Sequence, residues 1–141
     1  MSEDLRPTGR PLSNDELNQL ADAWIRYWYA PKGSSIRNEL SGATDLYELE
    51  YHNPEDLWRL ILLIHGRDQS SRIQEVLSAG PVEALLAKHG DSFIDRIETQ
   101  ARLDSMFAKL LGGVWKNRMS DANWNRLQAV WDRSGWDGIP N

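Results

Sequence analysis

Residues 57–64 read Leu-Trp-Arg-Leu-Ile-Leu-Leu-Ile, seven apolar side chains in eight positions, and Asn53-Pro54-Glu55-Asp56 stands directly before them. Asn is a favoured helix N-cap, Pro is preorganised for the first helical position, and acids in the first turn suit the helix dipole. A helix that is apolar all round is buried all round. The pattern therefore predicts a central, buried helix. A strand is the rival for so short a run, but the capped start and the lack of alternation count against it.

The same grammar recurs on either side. Ser13-Asn14-Asp15-Glu16 spells a capping box, and Leu17, Leu20, Ala21, Trp24 and Trp28 follow at helical spacing up to Pro31. Residues 32–35 read as loop, and a helix is expected over residues 39–51. After the central run come an element over residues 70–79, broken at Gly80-Pro81, and another over 81–88, closed by Gly90. Helices over 91–103 and 105–111 lead to Gly112-Gly113. The last helix, over 121–133, is capped by Ser120 and turns Trp124, Leu127, Val130 and Trp131 inward.

The expected fold is thus all-α: a compact array of six to eight short helices, in antiparallel pairs around the central buried one, with no strand and no fixed repeat length. A single helical domain is expected over residues 13–135. Residues 1–12, with Pro7, Gly9 and Pro11, read as a flexible arm, and residues 136–141 as a tail. The length of 141 residues suffices for a real core without staples.

There are no cysteines, which removes disulfides, thiolate zinc sites and cysteine nucleophiles together. The acidic start and the absence of a long apolar run lead us to expect a cytoplasmic protein with no membrane partner. Charge is distributed unevenly within the net −5. Glu39, Asp45, Glu48, Glu50, Glu55 and Asp56 fall in one stretch without Lys or Arg. From residue 105 onward five bases face three acids. No basic stripe of the kind that follows a phosphate backbone stands out, so nucleic acid is not the expected direct partner.

Catalytic and metal-binding signatures do not emerge. His52, His65 and His89 lie on separate elements, with no HExxH-like pair. His89 shares a stripe with Val82, Leu85 and Leu86 and is expected to serve the helix end, as is His65. Asp91, Asp95 and Glu98 share a face, and Arg102 is placed to pair with Glu98 at i, i+4. Gly112-Gly113 has no P-loop pattern and reads as a tight turn on which Trp115 docks. Nothing in the spacing implies a cofactor.

Several strings together resemble one family of small bacterial proteins, the domain of unknown function 6869. They are Ala23-Trp24-Ile25, Asn53-Pro54-Glu55, residues 79–86 (Ala-Gly-Pro-Val-Glu-Ala-Leu-Leu), Lys88-His89-Gly90, residues 93–98 (Phe-Ile-Asp-Arg-Ile-Glu) and residues 111–115 (Leu-Gly-Gly-Val-Trp). The resemblance runs from Leu17 to Trp131. It implies a bacterial, mostly helical domain that often stands alone, and it brings no activity, cofactor or site residue.

The expected function is a non-enzymatic protein-binding module, of which a small immunity or antidote protein is one form. Its acidic stretch would meet a basic partner. The candidate partner-binding residues are Asp45, Tyr47, Glu48, Glu50, Tyr51, Glu55, Asp56 and Trp136. Trp136 has a second reading, folding back over the end of the core. Two other functions stay open: a small hydrolase or ligand-binding protein with a pocket built from His65 or His89 and nearby carboxylates, and a structural homodimer.

Overall fold

The structure is a computed structural model, and it describes residues 10–134 and Trp136. Eight α-helices occur among these residues: α1 (Asn14–Tyr29), α2 (Ser35–Leu40), α3 (Tyr47–His52), α4 (Pro54–Arg67), α5 (Ser71–Leu77), α6 (Glu83–Leu103), α7 (Ser105–Leu111) and α8 (Asp121–Val130). A 3-10 turn (Ser41–Thr44) follows α2, and a π turn (Ser78–Val82) joins α5 to α6. No strand occurs among the described residues. The all-α expectation holds. The body expected over residues 13–135 consists of two compact units, one ending at Arg67 and the other beginning at Asp68.

In the first unit α1 starts on the expected capping box. The Glu16 N–H donates to Ser13 Oγ (3.1 Å) and the Ser13 N–H donates back to Glu16 Oε1 (2.8 Å). Its stripe of Leu17, Ala21 and Trp24 is buried, and α1 packs on α4. In α4, expected to be buried all round, Leu57, Leu60, Ile61 and Ile64 are fully buried, whereas Leu62 and Leu63 are only half-buried. Arg67 ties its end to α1, donating to the Asn18 carbonyl (3.1 Å) and side chain.

The helix expected over residues 39–51 is instead three pieces: α2, the 3-10 turn and α3. Gly42 lowers helical preference at the break, and the extended Asp45 (φ −88°, ψ 92°) turns the chain before α3. Residues expected to be loop begin α2, because Ser34 accepts the Arg37 N–H (3.1 Å) and caps it.

The second unit departs from the expected helix breaks for two physical reasons. Pro81 has no N–H to give an α-helical bond. The chain widens into a π turn instead of stopping, and the Glu83 N–H reaches the Ser78 carbonyl five residues back. Gly90 does not end the following helix either. His89 leaves helical geometry (φ −136°, ψ 26°) and α6 kinks, then continues to Leu103. Leu85, Leu86, Phe93, Ile94 and Ile97 of α6 are buried, as are Phe107, Leu110 and Leu111 of α7. The final helix stops at Val130 rather than at residue 133. Leu127 is its buried anchor, while Trp124 and Trp131 are half-buried and meet edge to face with centroids 5.2 Å apart.

Candidate functional site

In the first unit, Leu46 and Leu49 are buried, which fixes the face that α3 turns outward. Tyr47 and Tyr51, four residues apart, then project side by side, 58% and 51% exposed, with ring centroids 4.5 Å apart. Glu48 and His52 pair across the next turn position at 3.9 Å. Asp45 is exposed and accepts the Tyr47 N–H (3.3 Å). Glu55 is exposed at the start of α4, and Glu50 is half-buried.

Asp56 does not belong with them. It is only 3% exposed. Its carboxylate accepts the Leu12 N–H (2.8 Å) and an Arg59 N–H (2.8 Å), while Arg59 also donates to the Leu12 carbonyl (3.2 Å). Buried Asn53 donates to the Arg10 carbonyl (3.4 Å). Residues 10–12 of the expected arm are therefore held on the first turn of α4; residues 1–9 lie outside the described residues. The i, i+3 spacing of Asp56 and Arg59 is the sequence signal that Asp56 has an internal partner.

Trp136 lies in the second unit. Its ring rests on Gly112 and Gly113, and its indole N–H donates to the Lys109 carbonyl (2.7 Å). The diglycine turn thus receives Trp136 and not the expected Trp115, which is 44% exposed. Of the other tail residues proposed from sequence, 137–141 lie outside the described residues.

The histidines have separate fates. His52 is exposed on α3, and His65 is buried within α4. His89, at the kink of α6, lines an open cleft of about 280 Å³ with Lys88, Asp91, Arg118, Ser120 and Asn123. The last three were not legible as site residues. The Asn123 amide donates to Asp91 Oδ1 (2.8 Å) across 32 positions of sequence, a separation that no local pattern encodes. Among the described residues, no three His, Asp or Glu side chains are grouped to hold a metal ion.

Glu98 pairs differently from expectation. Its hydrogen-bonded partner is Arg126 of α8, which donates from Nε to Oε2 (2.8 Å) and from a terminal nitrogen to Oε1 (2.7 Å). The same guanidinium reaches Asp95 (2.5 Å). These Arg126 bonds hold the Glu98 carboxyl below its ordinary range, with Arg102 adding only a longer-range attraction. A lowered folded-state value means that the pair stabilises the fold above the ordinary carboxylate range. That support is lost as pH falls through the lowered value. An Arg126→Ala variant is expected to return Glu98 to ordinary titration and to begin acid unfolding of the second unit at higher pH. Carboxyl NMR titration beside acid denaturation checks both.

The described helices thus make an all-α protein, and no helix among them is long and apolar enough to cross a membrane. A family model described as "Family of unknown function (DUF6869)" matches residues 32–135, more than half of the chain, and the chain belongs to that family. The match includes both the His89 cleft and the diglycine turn. No curated protein and no solved structure matches the chain.

Proposed function

We propose that this chain is a cytoplasmic protein-binding module whose tyrosine-bearing acidic segment, residues 45–55, engages a basic partner. The observation that supports it most is the exposed Tyr47–Tyr51 pair on α3, set among the carboxylates of Asp45, Glu48 and Glu55 in a stretch without Lys or Arg. Tyrosines are frequent interface anchors because they bury much area while ordering few torsions. Surrounding carboxylates steer a cationic partner and set its register. Asp56 is withdrawn from this surface, being engaged internally. A basic toxin that acts on nucleic acid is one partner with the required charge, and an antidote would mask it by such a surface.

The test is affinity capture from the native cell, followed by binding kinetics with the purified partner. A basic partner is expected. Glu48→Lys with Glu55→Lys should slow association roughly tenfold at low salt and flatten its salt dependence. Tyr47→Ala with Tyr51→Ala should speed dissociation, again roughly tenfold or more. Partner binding that is indifferent to all four substitutions overturns the proposal. Self-association dispersed by the same substitutions would put a second copy of the chain in the partner's place.

A further inference from the structure

We infer that Arg37, held on the rings of Tyr27 and Trp28 in the first unit, is a docking point for a carboxylate side chain of a protein partner. Its guanidinium carbon lies 4.5 Å from the Tyr27 ring centroid and 5.4 Å from that of Trp28. Among the described residues the Arg37 side chain makes no hydrogen bond and no ion pair, and its Nε is buried without an acceptor. A buried guanidinium N–H without an acceptor is costly, and attraction to ring faces replaces only part of the lost hydration. Such a group calls for a partner from outside the chain.

The pose is fixed from both helices. Gly33 takes a left-handed conformation (φ 79°), which glycine adopts without strain, and the Ser34 N–H donates to the Pro31 carbonyl (3.1 Å). This tight loop brings α2 back against α1. Ser34 Oγ then accepts the Arg37 backbone N–H (3.1 Å). On α1 the Tyr27 and Trp28 rings meet edge to face with centroids 5.0 Å apart. Trp28 in turn meets Trp24, which is 2% exposed, at 5.9 Å. The acids nearest in sequence are placed elsewhere. Asp22 pairs with Arg26 (3.7 Å). Glu39 stands two residues along α2, a spacing at which side chains do not face each other.

Stacking leaves the N–H groups of a guanidinium in its own plane, clear of the ring faces. Only Nε is shut in, so the two terminal nitrogens form the open edge, and their parallel N–H groups match the two oxygens of a carboxylate. The surroundings favour a protein as its carrier. Tyr29 and Ile36, each next in sequence to a member of the stack, are 49% and 54% exposed. Arg, Trp and Tyr together are the usual anchors of protein interfaces. A phosphate backbone would need a row of cations, and Lys32 is the one other base between Arg26 and Arg37.

The experiment is titration of the full chain with a blocked hexaglutamate peptide at fixed ionic strength, read from the Arg37 Nε–H and the backbone amide NMR signals. Saturable shifts at Tyr27, Trp28 and Arg37 are expected, with millimolar-class affinity for so simple a probe. Arg37→Lys keeps the charge but loses the fork, and should weaken binding roughly tenfold. A neutral hexaglutamine peptide, titrated into the unaltered chain, should produce no such shifts, and this arm needs no variant to fold. Tyr47→Ala with Tyr51→Ala should leave hexaglutamate binding unchanged, which separates this face from the acidic segment on α3. Four results would overturn the inference: no saturable shift, equal shifts with hexaglutamine, binding unaffected by Arg37→Lys, or inorganic phosphate bound as tightly as the peptide. Shifts at Arg37 that grow with protein concentration alone would also overturn it, by making a second copy of the chain the occupant.

Discussion

Replacing Asp56 by alanine is expected to destabilise the first unit by about 2–3 kcal/mol, the order of cost for leaving hydrogen-bonded groups unpaired at a buried position. Two donors lose their acceptor at once: the Leu12 N–H and Arg59, each 2.8 Å from the carboxylate. Arg59 is partly exposed and keeps its bonds to the Leu12 carbonyl and Asn14. That is why the value falls short of a fully buried ion pair. Urea unfolding gives the free energy, and amide exchange places it: residues 12–14 and the first turn of α4 should lose protection. Glu55→Ala, one residue away but exposed, should change stability little. If the two substitutions cost the same, Asp56 is not the latch that the geometry describes.

The second large effect is expected at Gly113. A Cβ there would lie 2.5 Å from the Trp136 ring and 2.8 Å from Ser78 Oγ. Neither distance is tolerable, so the ring must leave or the turn must shift. Overpacking of this kind costs about 1–3 kcal/mol. In Gly113→Ala the Trp136 indole N–H resonance should move to a solvent-exposed position, because its bond to the Lys109 carbonyl is lost. In a Trp136→Ala background the same substitution should cost much less, leaving only the Ser78 contact. Equal costs in both backgrounds would remove the ring from the explanation.

The two results concern residues that sequence alone had placed differently, and the comparison shows where local reasoning stops. Asp56 sits in an acidic run, and composition treats it like Glu55; only its position on α4, facing residue 12, makes it internal. Gly112-Gly113 reads as a turn that admits an aromatic ring, which is right. Trp115 is nearest in the chain, but the ring that arrives is Trp136, through backbone and side-chain bonds that bring residues 132 and 133 back to Ala108 and Gly112. Gly80-Pro81 and Gly90 read as helix ends. They become a π turn and a kink because the flanking side chains of α5 and α6 are buried on both sides of each break. Packing outweighs local propensity there.

What the sequence determined by itself is the set of short-range facts: the Ser13 capping box, the start of α4 at Pro54, the all-α class and the resemblance to a family that the comparison then showed. These depend on interactions within about one helical turn, which spacing records. The division at Arg67, the withdrawal of Asp56 from the surface that carries Tyr47 and Tyr51, the exchange of Trp115 for Trp136 and the joining of Lys88, His89 and Arg118 at one cleft were decided only by the tertiary structure. Each depends on which distant backbones approach, and no periodic pattern along the chain carries that information.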